Sequence, residues 1–192
     1  MKKLILSEIK KSIKVKNDTI SDEKIISQIE GLVNNCLQSI RQGGKIIFCG
    51  NGGSFADSQH LAAEFVSRLR FDRAPISSIA LGTNSSNLSA IGNDYGYDEV
   101  FSREIIALGN QNDVFIPIST SGNSPNIIKS ILAAKEKNIK ICGFSGGNGG
   151  KMKELCDVIL VPSGSTEKIQ EVHIMIGHII CFLVEKSLFN KE

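Results

Sequence analysis

Lys45-Ile46-Ile47-Phe48-Cys49-Gly50-Asn51-Gly52-Gly53-Ser54 runs from an apolar stretch straight into a glycine-rich turn. A short, continuously apolar run suits a strand covered on both faces, and glycines at its end let the backbone turn tightly. Ser54 can cap a following helix, with Asp57 three residues on as in a capping box. The same rhythm then repeats along the chain. Residues 76–81 read as a second strand and 114–118 as a third. Ser124-Pro125 follows, an N-cap residue with proline at the first helical position, and predicts a helix to about Lys137. Residues 140–144 and 158–161 give two more strands. These strands are apolar throughout rather than alternating, which predicts a parallel sheet with helices on both faces in right-handed crossovers. The expected fold is α/β: a three-layer sandwich on a five-stranded parallel sheet, of the flavodoxin-like class.

Outward from this rhythm lie two apolar helices. Ile25, Ile26, Ile29, Leu32, Val33, Cys36, Leu37 and Ile40 follow helical spacing, and Gly43-Gly44 ends the run. This makes an N-terminal helical extension over about 1–43, and the whole of 1–192 is expected to form one domain. The lysines at 10, 11, 14 and 16 read as a solvated helix face. The last helix, about 167–188, carries Ile169, Val172, Ile174, Met175, Ile176, Ile179, Ile180, Phe182, Leu183 and Val184 around almost its whole circumference. A helix apolar all round is buried on all sides. Together the two helices predict a homo-oligomer with a shared bundle; the alternative is that both pack only on their own sheet.

Composition narrows the class. The chain has 192 residues, 41% hydrophobic and 22% charged, which excludes wholesale disorder. A net charge of +2 gives no sign of a nucleic-acid partner. The five cysteines, Cys36, Cys49, Cys142, Cys156 and Cys181, are odd in number and form no Cys-x-x-Cys pair. They read as buried thiols of a reducing compartment. The apolar start Leu4-Ile5-Leu6 stops at Ser7-Glu8, short of a signal peptide. The apolar stretch 174–184, interrupted by Gly177 and His178, is too short to span a bilayer. The expectation is a cytoplasmic protein with no membrane partner.

Two loops sit where parallel sheets bind ligands, beyond the carboxyl ends of strands. Gly50-Asn51-Gly52-Gly53-Ser54 offers backbone N–H groups at a helix N-terminus. Ser119-Thr120-Ser121-Gly122-Asn123-Ser124 offers four hydroxyls at another, where the helix dipole favours a phosphate. Either alone is also compatible with an ordinary capped turn; both at corresponding strand ends point to an anion site. His60 and Glu64 lie i, i+4 on the helix after the first loop and share a face. That spacing serves a surface ion pair, an acid–base pair or two ligands of one metal. Gln170, His173 and His178 lie on the last helix. A histidine in so apolar a helix needs a partner, either a carbonyl in the core or a site. All three histidines of the chain sit on these two helices.

With Gly92-Asn93-Asp94 and Ile169-Gln170-Glu171 added, these motifs resemble the phosphoheptose isomerases of the sugar isomerase (SIS) fold, from about Ser21 to the C-terminus. The Ser/Thr loop specifies only the SIS fold. His60, Glu64, Gln170 and His178 together specify the isomerase branch. The resemblance implies an aldose–ketose isomerase that converts sedoheptulose 7-phosphate to D-glycero-D-manno-heptose 7-phosphate through an enediol. That step opens heptose biosynthesis for lipopolysaccharide or a capsule. It implies a homotetramer with sites between subunits, and a zinc ion held by His60, Glu64, Gln170 and His178. Glu64 would be the catalytic base and His178 the partner acid/base. Substrate contacts would fall to Asn51, Gly52, Gly53, Glu64, Asn93, Asp94, Ser119, Thr120, Ser121, Ser124 and Gln170.

Two tensions accompany this assignment. A carboxylate bound to zinc is a poorer base, so Glu64 is asked to do competing jobs. Gln170 and His178 are eight residues apart, about 12 Å of rise and about 80° of rotation on a helix, so sharing one metal needs a long reach or two subunits. There are departures too: Glu167 stands where the family often has Asp, and Phe55 where smaller or polar residues are common. The competing readings are a non-catalytic SIS protein that binds a replication initiator or senses sugar phosphates, and an isomerase of arabinose 5-phosphate. The first lacks the Glu and final His that this chain keeps as Glu64 and His178, and carries arginine where this chain has Ser121. The second usually adds regulatory domains.

Overall fold

Every residue of Ile46–Gly50 is buried, and this strand, β1, has a parallel neighbour on each side. The structure, a computed structural model, describes residues 1–189, so the last three positions of the expected domain lie outside the described residues. In chain order the elements are α1 (Lys2–Ile20), α2 (Glu23–Arg41), β1, α3 (Gly53–Val66), β2 (Ser78–Ala80), α4 (Ser85–Tyr95), α5 (Val100–Leu108), β3 (Val114–Ile118), α6 (Pro125–Glu136), β4 (Lys140–Gly146), β5 (Asp157–Val161) and α7 (Thr166–Phe189). Single helical turns stand at Tyr97–Glu99 and over Gly150–Glu154. The five strands form one parallel sheet in the order β2-β1-β3-β4-β5. That is the flavodoxin-like order expected for a doubly wound sheet.

The pleat of the sheet divides its apolar residues between two cores. Ile46, Phe48, Val114, Ile116, Phe144 and Ile159 pack with residues of α2, α3 and α7. Ile47, Cys49 and Phe115 pack on the other face with residues of α5 and α6. The three-layer expectation is met, because each strand has an apolar residue for either side.

Several local expectations need adjustment. The α3 helix starts earlier than the Ser54 cap predicts: Gly52 is its N-cap, and Ser54 lies buried inside the first turn. Asp57 is therefore free of capping duty. The edge strand β2 keeps only three of the six expected residues: Ile76 donates to the carbonyl of Phe65 at the end of α3 instead, while Ser77 and Leu81 still bond to Ile46 and Phe48 of β1. The extension is two helices: Asp22 caps α2 by accepting from the N–H groups of Lys24 and Ile25. On α1 only Val15 and Thr19 are buried; Lys10, Lys11 and Lys14 are exposed as a solvated face should be, but so are Leu4, Ile5, Ile9 and Ile13. The polar α4 has no buried residue, so it left no apolar period to read.

The α7 helix is long and apolar enough by composition to cross a membrane, more so than the 174–184 run suggested. It is nevertheless a core helix, packed on α2 and α3. It carries Glu185 fully buried, accepting from the N–H groups of Leu69 and Arg70 and from Arg73 Nε at 3.0–3.1 Å. Arg73 also donates to the carbonyls of Glu64 and Phe65, closing the C-terminal end of α3. Within one chain, α7 is not buried on all sides: Ile169, Val172, Ile176 and Ile180 are covered, while Ile174, Met175, Phe182 and Leu183 are only partly so and Ile179 is exposed. All five cysteines are free, and burial pushes their thiols up, to about 12 for Cys142 and about 11 for Cys156.

Candidate active site

Gly50 at the end of β1 is in register with Ile118 at the end of β3, so the two glycine- and serine-rich loops leave the sheet side by side. In the second loop, Ser124 is the N-cap of α6 but makes no side-chain cap bond; its Oγ lies 3.2 Å from Ser119 Oγ. The first-turn N–H groups of α6 are therefore left for a ligand. The Thr120 carbonyl accepts from the Gly146 N–H, and Ser121 Oγ accepts from the Asn123 N–H. Gly122 has a φ of +65°, and a Cβ there would meet the Gly149 carbonyl at 2.0 Å, so this turn admits only glycine.

The first loop is held from both sides. Asn51 exchanges amide hydrogen bonds with Asn126 of α6, and Tyr97 donates to it as well. At Gly53, a Cβ would strike the Gln170 amide at 2.1 Å. A side chain at 53 would thus displace the Gln170 amide from its place. It also answers where Gln170 goes: its side chain lies over the first turn of α3.

His60 and Glu64 on α3 meet His178 on α7. The two Nε2 atoms are 2.8 Å apart, and Glu64 Oε1 is 3.3 Å from His60 Nε2. Burial holds His178 below the ordinary histidine range, helped by His60 and opposed by Glu64. A neutral imidazole carries one N–H and one lone pair, so the two Nε2 atoms can share an N–H···N hydrogen bond or turn both lone pairs toward a cation. His60, Glu64 and His178 form a group that could hold a metal ion. The spacing i, i+4 had left three readings open; His178 adds a third group to the pair from another helix.

His173 does not join. It is buried, and its Nε2 lies 3.0 Å from the carbonyl of Ser145, as a core histidine should. Asn93 and Asp94 are exposed near the end of α4 and bond to each other. Glu167 is also exposed and accepts from Ser165. Asp57, read from the sequence only as a capping residue, is a further candidate. It lies beside Gln170 and His60; burial pushes its carboxyl up, while both neighbours pull it back down. Its Oδ2 is buried with no hydrogen-bond partner. The signal was present in the spacing, since Asp57, His60 and Glu64 stand at i, i+3 and i+7 on one helix face.

The SIS domain family model matches residues 10–146. A phosphoheptose isomerase of Aneurinibacillus thermoaerophilus is 51% identical, covering 100% of this chain and 98% of that protein. One of Burkholderia pseudomallei is 50% identical, covering 98% and 96%. The structure of a phosphoheptose isomerase from Neisseria gonorrhoeae superposes with a TM-score of 0.90 at 36% identity, covering 96% of this chain and 98% of that one. The order of this sheet and these relatives place the chain among the SIS-domain proteins, and within them it belongs to the phosphoheptose isomerases.

Proposed function

We propose that the enzyme converts sedoheptulose 7-phosphate to D-glycero-D-manno-heptose 7-phosphate. The observation that carries this is the meeting of His60, Glu64 and His178 beside two helix N-termini suited to a phosphate. The 119–124 loop anchors the phosphate with its hydroxyls and the N–H groups of α6. Glu64 takes the proton from C1 and returns it to C2 through an enediol, and His178 moves the matching proton from O1 to O2. His178, kept neutral by burial, can accept before it donates. The partnerless Asp57 Oδ2 is an acceptor suited to a sugar hydroxyl.

The donor set fits zinc: two imidazole nitrogens and one carboxylate oxygen within reach of one another. His60, Glu64 and His178 would hold it, with Gln170 as the further ligand by resemblance. Bound zinc would polarise the substrate carbonyl. Substrate contacts are assigned to Asn51, Gly52, Gly53, Glu64, Ser119, Thr120, Ser121, Ser124 and Gln170. Asn93 and Asp94, exposed on α4, are assigned to the same role. The apolar groove of Leu69, Ile174, Met175, Ile179 and Phe182 runs up to His178, which supports closure of the site by a second copy in a homotetramer. A cytoplasmic location suits five free thiols and a sugar-phosphate substrate. Glu64→Gln tests the assignment: turnover should fall by about 100-fold or more while substrate still binds. Turnover near the wild-type rate would remove Glu64 from the chemistry.

A further inference from the structure

The two anion loops are joined by one side chain that none of the motifs contained. Asn126 is the second residue of α6 and is 2% exposed. Asn51 Nδ2 donates to Asn126 Oδ1 at 2.9 Å, and Asn126 Nδ2 donates back to Asn51 Oδ1 at 2.9 Å. The two amides thus form a closed head-to-tail pair between the end of β1 and the start of α6. Tyr97 adds its hydroxyl, donating to Asn51 Oδ1 at 3.2 Å. The turn that carries Tyr97 is itself tied to α6, through Glu99 and Lys129 at 2.7 Å.

An amide oxygen accepts two hydrogen bonds and an amide nitrogen donates two. Asn51 Oδ1 has both of its acceptor positions filled, by Asn126 and Tyr97. Asn51 Nδ2 has one N–H taken and one free. Asn51 is therefore left with a single outward donor and no acceptor. It can serve a phosphate or sugar oxygen and nothing that itself donates. Without Asn126 the Asn51 amide could rotate, present its oxygen to the anion and repel it.

We propose that Asn126 is a positioning residue that splints the two anion loops together and fixes Asn51 as a donor toward the substrate. The inference rests on the sugar-phosphate reading above. Because the contact is made to the phosphate-bearing ground state as well as to the transition state, its loss should raise KM more than it lowers kcat.

Steady-state kinetics with sedoheptulose 7-phosphate on the zinc-loaded enzyme tests this through a double-mutant cycle. Asn126→Leu, close to isosteric, should raise KM about tenfold and change kcat by less than about threefold. Asn126→Asp keeps the size and accepts but cannot donate; it should raise KM likewise, and it guards against a leucine variant that fails to fold. In an Asn51→Ala background, Asn126→Leu should add less than about twofold, because its partner is already gone. Wild-type KM in both Asn126 variants would overturn the proposal. So would an Asn126→Leu penalty of the same size with and without Asn51, which is the result for a residue that merely supports the helix. Absence of aldose product from the wild-type enzyme would be a different failure, taking down the parent reading and this inference with it.

Discussion

At the scale of single residues, the candidate site is a set of side chains that α3 and α7 bring together. Two imidazole nitrogens 2.8 Å apart with a carboxylate at 3.3 Å can share a hydrogen bond through one ring's tautomer or turn their lone pairs together onto a cation. This gives a direct test of the zinc assignment: His60→Ala should bind zinc at least about tenfold more weakly than wild type, by metal analysis after dialysis. Unchanged zinc content would contradict it. Glu64 and His60 could be paired from their spacing, because i, i+4 fixes a shared face whatever the tertiary fold. Asp57 lay on the same face and went unread, because a Ser–x–x–Asp pattern after a glycine turn is also a capping motif. Asn126 left no signal at all. An amide pair between residues 75 positions apart exists only once β1 and β3 are adjacent.

At the scale of elements, the central strands were read to within one or two residues at each end. The 114–118 strand is a fully buried β3, since a strand covered on both faces has to be apolar at every position. The edge strand β2 came out short, and α4 was invisible because nothing in it is buried. The α7 helix shows the difference between a polar group that serves the site and one that serves the core. His173 donates to the Ser145 carbonyl, its Nδ1 has no partner, and burial holds its pKa down at about 4. A histidine depressed from about 6.5 costs nothing above pH 6.5, where it is neutral in both states. As pH falls toward 4 the unfolded chain gains a proton that the folded chain refuses, so stability drops by up to about 3 kcal/mol over that window. Denaturant unfolding of wild type and His173→Gln should show a shallower loss between pH 6.5 and 4 in the variant. Parallel curves would show that His173 does not contribute.

At the scale of the whole molecule, the layered sheet was legible from the strand–turn–helix rhythm, and the position of the site followed from its topology. What one chain leaves open is equally physical. On α1, Leu4, Ile5, Ile9 and Ile13 are exposed, and α7 shows Ile179 and a partly covered Phe182 beside the site. An apolar surface of this extent on two helices is the observation that supports the proposed assembly. Light scattering of the purified protein should give the mass of a tetramer; a monomer would overturn the proposed assembly. The central claim, that the His60–Glu64–His178 group and the adjoining phosphate loops act together as a ketose–aldose isomerase, has a more direct test. Purified enzyme supplied with zinc is incubated with sedoheptulose 7-phosphate, and the heptose 7-phosphate aldose is followed over time. Steady accumulation of the aldose toward an equilibrium with the ketose is predicted; no aldose above the protein-free control would contradict the account.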